Sequence, residues 1–126
     1  MESGGTLTPQ FVQDFAAEWI AAWNSHDLER ILAHYSEDFR MSSPVIRKVM
    51  GEPSGTLAGK AAVRTYWARA LAANPGLKFR LVEALGGVDS ITIVYEGHRG
   101  LSAEVFFFGA GGLVERAHAH YAEPVA

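Results

Sequence analysis

The chain has 126 residues, 48% of them hydrophobic and 20% charged, with a formal net charge of −3 and no cysteine. That length fits one domain, residues 1–126 with a core at about 9–122, able to bury roughly two-thirds of the unfolded chain's surface. The composition excludes disulfides and thiolate chemistry. Without a run of like charges it offers nucleic acid or an anionic membrane no electrostatic footprint.

In chain order, Met1–Thr8 is short, Gly-rich and not basic, so it reads as no secretory signal. No apolar stretch approaches the ~20 residues of a membrane span, and a soluble cytoplasmic protein is expected. Thr8 can cap a helix whose first turn holds Pro9. Phe11, Phe15, Trp19 and Trp23 follow at four-residue spacing beside Val12, Ala16 and Ile20, one broad apolar stripe facing a core. Asn24-Ser25-His26-Asp27 breaks this helix, and Asp27 can cap a short second one with Leu28, Ile31, Leu32 and Tyr35 inward. Asp38–Pro44 is predicted as a strand with Phe39, Met41 and Ser43 on one face. Residues 45–59, which contain Gly and Pro, are expected as a long loop, either a lid or a connector with its own apolar cluster. A third helix is predicted over 60–73, with Val63, Tyr66, Trp67, Ala70 and Leu71 as its apolar face and Asn74-Pro75-Gly76 as its stop.

From there the period changes to alternation. Residues 77–85, 91–98, 101–108 and 113–122 read as four strands joined by Gly-rich links, an antiparallel meander. Helices first and strands later argue an α+β domain with helices on one sheet face. Alternation along the last strand sets Arg116, His118 and His120 on one face with Val114, opposite Ala117, Ala119 and Tyr121. In 77–85 it sets Glu83 in the row of Phe79, Leu81 and Leu85, a costly place for an unpaired carboxylate. Either Glu83 meets Arg116 or a histidine, or the strand bulges and frees it to solvent. Glu104 lies out of phase with Ala103, Val105 and Phe107 and is expected on the outer face. Phe106 and Phe108 oppose Val105 and Phe107, so the sheet is apolar on both sides. Phe106 and Phe108 are expected to lack a covering helix and to be buried by a second copy in a homodimer.

Several short stretches, in this order, resemble the NTF2-like superfamily and its SnoaL-like domains. They are Trp23-Asn24-Ser25-His26-Asp27-Leu28, His34-Tyr35-Ser36-Glu37-Asp38, Ser43-Pro44, Gly59-Lys60 ahead of Tyr66-Trp67, and Gly112-Leu113-Val114 through His118-Ala119-His120-Tyr121. The resemblance runs from about Pro9 to Tyr121. It implies a cone, with three N-terminal helices packed on a curved, mainly antiparallel sheet and a pocket between them. The family spans ketosteroid isomerases, polyketide cyclases, scytalone dehydratase, limonene epoxide hydrolase and non-catalytic domains, so fold alone does not fix activity. Aligned without gaps on the ketosteroid isomerase pattern, Trp19 falls at the oxyanion tyrosine, Ser43 at the carboxylate base and Ala103 at the acidic oxyanion donor. All three groups are missing, which rejects that activity. The Arg-Asp pattern of limonene epoxide hydrolase is not evident. The same alignment turns Arg116, His118 and His120 into the pocket.

His118 and His120 are therefore the candidate catalytic residues, since histidine suits proton transfer near neutral pH. Arg116 would hold an anionic or enolate oxygen, and Trp19, Trp23, Tyr35, Ser43, Glu83 and Tyr95 complete the expected ligand-binding set. The aromatics serve core packing as well as pocket wall. Two other readings of the histidines stand beside this one: structural groups buried or held in a dimer interface, or a His-x-His metal site. The metal site lacks a clear third ligand among His34, His98 and Glu83. The expected function is binding of a small hydrophobic or weakly anionic organic molecule, with cofactor-independent isomerisation, dehydration or cyclisation by the pocket histidines. The alternative is a non-catalytic ligand-binding or dimerisation domain. No metal, cofactor, nucleic acid or membrane partner is expected.

Overall fold

A computed structural model describes residues 7–125. Residues 1–6, most of the stretch read as no secretory signal, and Ala126 lie outside the described residues. Helix α1 (Pro9–Ser25) starts where Thr8 accepts a hydrogen bond from the Phe11 amide at 3.1 Å, which satisfies one of the free donors of the first turn. It ends at His26, whose backbone is left-handed at φ 61. The His26 ring lies 2.8 Å from the Leu77 carbonyl and ties the helix end to the start of the sheet. Asp27 caps α2 (Leu28–Leu32) by accepting from the Glu29 and Arg30 amides. Tyr35 then opens β1 (Tyr35–Ser42).

The expected loop 45–59 instead holds a short helix, α3 (Pro44–Met50), and a strand, β2 (Thr56–Ala58). Ser43 caps α3 by accepting from the Val45 amide, and Pro44 presets its first turn. Val45, Ile46 and Val49 give it an inward face, and the chain's breakers, Gly51 and Pro53, come only after it. The chain continues through α4 (Lys60–Ala73), β3 (Arg80–Gly86), β4 (Ser90–Gly97), β5 (Gly100–Phe108) and β6 (Val114–Tyr121). The strands form one sheet in the order β2-β1-β6-β5-β4-β3. Among the described residues only β1 and β6 pair in parallel. Helix α1 lies over β3 and α4 over β1 and β2, giving the expected α+β cone with a mainly antiparallel sheet and four helices rather than three.

Two bulges decide which side chains face the helices. Between β5 and β6 the register jumps from Phe107 opposite Arg116 to Phe108 opposite Val114, so Glu115 is an extra residue. Val114 and Ala117 both turn inward, and the alternation that began at Val114 slips by one. Ala117 and Ala119 are buried under the helices, while Arg116 and His120 are exposed and His118 half-buried on the outer face. The inward placement expected for Arg116, His118 and His120 is thereby corrected. Between β3 and β4 the register jumps from Leu81 opposite Tyr95 to Glu83 opposite Val94, and Val82 is the extra residue. Glu83 is released to solvent, which removes it from the expected ligand-binding set.

Strand β5 carries a third correction. Its inward row is Ser102, Glu104 and Phe106, all buried, and the outward row is Ala103, Val105 and Phe107. Phe106 and Phe108 are covered by α1: the Phe15 ring is 5.0 Å from each, and Phe11 is 5.4 Å from Phe108. The core is aromatic. Trp19 stacks on Phe79 at 5.6 Å and meets Tyr95 at 5.1 Å and Phe106 at 5.4 Å. Tyr35, Phe39 and Trp67 form a second group, with Tyr35 and Phe39 4.4 Å apart.

Candidate functional site

The helices and the concave face of the sheet enclose a cavity of about 380 Å³, within the range of small-molecule sites. Helix α1 sends in Trp19 and Trp23, α3 sends Val45 and Val49, and α4 sends Tyr66 and Trp67. From the sheet side come Met41, Phe79, Tyr95, Glu104 and Tyr121. Asn24 fixes the Phe79 wall: its amide oxygen accepts from the Phe79 N–H at 2.7 Å and its amide nitrogen donates to the Phe79 carbonyl at 3.0 Å. The Asn24-Ser25-His26-Asp27 break thus does more than end a helix, since Asn24 and His26 both anchor the chain entering β3.

Glu104 is the group that stands out chemically. It is 5% exposed, lines the cavity, and makes no hydrogen bond or ion pair with any described residue. Burial disfavours its charged form and pushes its carboxyl up to about 8, so near neutral pH it is mostly protonated. Around it stand the phenols of Tyr66, Tyr95 and Tyr121, each raised above the ordinary tyrosine value first by burial and then by Glu104 or a neighbouring phenol. The Ser43 hydroxyl works in the opposite direction on Tyr66 and Tyr121, and Arg99 does the same. These phenols remain protonated and can donate hydrogen bonds. Trp19 donates its indole N–H to the Tyr35 hydroxyl at 3.1 Å. Trp23 lines the cavity, and its indole N–H is fully buried without an acceptor among the described residues.

Of the residues singled out from sequence, Trp19, Trp23 and Tyr95 line this cavity. Tyr35 is buried in the core behind it. Ser43 is buried at the start of α3, where its hydroxyl reaches the cavity phenols Tyr66 and Tyr121, and it also borders a second groove with His118, His120 and Arg47. The Arg116 guanidinium lies 4.2 Å over the Phe107 ring on the outer face, and the His118 ring meets Phe107 edge-on at 5.9 Å. His118 is lowered by partial burial and by the positive charge of Arg116 and His120. Glu104, Tyr66 and Tyr121 are absent from the sequence-based set. Glu104 shares its phase with Phe106 and Phe108, a row that alternation alone could set on either face of the sheet. Ala103, aligned with an acidic oxyanion donor, points outward, and the inward acid is the next residue along. Among the described residues no three His, Asp or Glu side chains gather as metal ligands, and no helix is long and apolar enough to cross a membrane.

The SnoaL-like domain model matches residues 16–122. A SnoaL-like protein of unknown function from Burkholderia thailandensis is 50% identical, with a TM-score of 0.91 over 94% of this chain and 99% of that one. A protein of cystatin-like fold and unknown function from Methylobium petroleophilum gives a TM-score of 0.73 at 19% identity, covering 96% and 82% of the two chains. The epoxide hydrolase/cyclase-like enzyme SalBIII of pyran ring formation in salinomycin gives 0.70 at 15% identity, covering 90% and 92%. The last two share the fold. No protein of curated function matches the chain.

Proposed function

Because the chain belongs to the SnoaL-like family, we propose that it binds a small, largely apolar organic molecule in the cavity and that Glu104 moves a proton on it without a cofactor. The observation that carries this reading is the buried carboxyl of Glu104, facing an aromatic cavity with neither a counter-ion nor a hydrogen-bond partner among the described residues. A carboxyl raised to about 8 is poised to accept or return a proton near neutral pH. The phenols of Tyr66, Tyr95 and Tyr121 supply donors for a developing oxygen anion. That combination serves an isomerisation, dehydration or cyclisation that passes through an enol, and cyclase-like chemistry is named for SalBIII on the same fold. Glu104 here takes the role first given to His118 and His120. Glu104 is the one carboxyl lining the cavity among the described residues, which also suits a second reading, binding without turnover.

The test uses two probes. The chain's three tryptophans all line the cavity, so neutral N-phenylnaphthylamine should quench their emission saturably, one molecule per chain. In deuterium oxide, β-tetralone should exchange its α-protons faster with protein than in buffer, and E104Q should lose the acceleration. Binding without exchange leaves the non-catalytic reading, and no binding removes both.

The outer sheet face is the proposed homodimer surface. Val94, Ala103, Val105 and Phe107 are adjacent there and only half-buried. Sedimentation at micromolar concentration should show a dimer that Val105→Glu dissociates, and a monomeric wild-type chain ends this proposal.

A further inference from the structure

The cavity has two chemically different ends. Its inner part holds the buried Glu104 and the phenols, and no cation other than those at the mouth lines it. Its mouth carries Arg69 and His98, both exposed, and Arg99, half-buried. Building on the cavity reading above, we propose that the ligand is an amphipathic organic acid. Its apolar body, of one or two fused rings, fills the cavity, and its anionic group, such as a carboxylate, is held at the mouth by Arg99 and Arg69.

Three observations carry this. First, among the described residues the mouth cations make no ion pair with a carboxylate. Arg30, Arg64, Arg80 and Lys60 each pair with a glutamate elsewhere on the chain, and of the other lysines and arginines only Arg69 and Arg99 line the cavity. Among the described residues Arg69 has only the Met50 sulfur at 3.4 Å, and Arg99 lies 5.9 Å from the centre of the Tyr121 ring. The Arg99 charge is felt locally: His98 is lowered first by burial and then by Arg99, and Glu123 borders the neighbouring groove with both without forming an ion pair. Second, the backbone that carries Arg99 is packed against the cavity wall. It sits on the β4–β5 turn between Gly97 and Gly100, where Gly100 has φ +83. A Cβ on Gly97 would come within 2.9 Å of the Phe79 ring, so glycine there lets the turn close onto the cavity wall. Third, the charges select the orientation. Glu104 repels an anion from the inner end once ionised, and the cations repel a ligand amine from the mouth. An acid that enters ring-first meets favourable charge only at the rim, where a guanidinium can bond an oxyanion through two N–H groups.

The test compares two probes that share a ring system and differ in one charged group, anilinonaphthalene sulfonate and N-phenylnaphthylamine. The sulfonate should bind more tightly than the neutral probe and displace it competitively at one site. Its advantage should shrink as ionic strength rises. In the double variant Arg69→Gln/Arg99→Gln the sulfonate should lose about tenfold relative to the neutral probe, as expected for a charge-assisted contact that is partly exposed. The proposal is overturned if the neutral probe binds as well as the sulfonate, if the sulfonate binds without displacing it, or if the double variant weakens both probes alike. In each of those cases the cavity reading stands. If the neutral probe itself fails to bind, that reading falls instead.

Discussion

Strand β5 carries its acidic group on the concave face and its neighbour β6 carries Arg116, His118 and His120 on the outer one, and the two faces treat those groups in opposite ways. On the concave face Glu104 is enclosed by phenols and indoles, and its proton affinity is changed profoundly by burial. On the outer face Arg116, His118 and His120 stand among half-buried apolar side chains and other cations, and water screens them. Chemical potency therefore follows from enclosure rather than from residue type. A glutamate with an ordinary value near 4.5 is pushed up to about 8, into the neutral range, by burial. Two histidines, better suited by their ordinary chemistry, are left on a surface.

The contrast can be broken most forcefully at the wall that encloses Glu104. Trp19 is 1% exposed and touches Phe79, Tyr95 and Phe106. Trp19→Ala should cost about 3–5 kcal/mol of stability, whereas Arg116→Ala outside should cost about 1 kcal/mol or less. Urea unfolding of both variants measures the difference, and equal losses would contradict it.

A second test reads Glu104 through pH. Its folded-state value lies above its unfolded one, so the native state binds the extra proton. Stability is then fully present below about 4.5 and is lost as pH rises toward about 8. At about 1.4 kcal/mol for each factor of ten in proton affinity, the loss is a few kcal/mol. The groups facing the carboxyl are Tyr66, Tyr95, Tyr121 and Tyr35, with Arg99 near the mouth, and none of the tyrosines ionises in that window. E104Q should flatten the profile between about pH 5 and about pH 9. Profiles that run parallel for wild type and variant would show that Glu104 is solvated.

Asn24→Ala sharpens the same contrast by loosening one wall. It leaves the Phe79 N–H and C=O without their partners and should cost about 1–3 kcal/mol. Binding of N-phenylnaphthylamine should weaken with it, and unchanged binding would show that Phe79 is held by packing alone. The smallest effect is expected from the outer face. His118→Gln and His120→Gln should leave affinity for that probe and any proton exchange within about twofold of wild type, as for surface changes remote from a site. His118 itself, lowered below its ordinary value, makes the wild type slightly less stable as pH falls through about 6.5, a trend that His118→Gln should remove.

The sequence by itself determined α1, α2, α4 and most of the sheet, but not α3 or β2, which lie where a loop was expected. Thr8 and Asp27 cap as their side chains dictate, the four-residue spacing of Phe15, Trp19 and Trp23 makes α1 amphipathic, and α4 begins and ends where its pattern does. These are local effects, set by residues within a turn or two of each other. It also placed Trp19, Trp23 and Tyr95 where they line the cavity. Which polar residues share that cavity was decided only by tertiary structure. A period of two carries a face assignment along a strand until one extra residue reverses it. Glu115 and Val82 are such residues, visible only in the pairing of β6 with β5 and of β3 with β4. The inward row of β5 was likewise ambiguous, since both rows are apolar, until α1 settled on Phe106 and Phe108 and carried Glu104 inside with them. Strand register and helix docking are long-range contacts, and with them the sheet chose a carboxyl over two histidines for its interior.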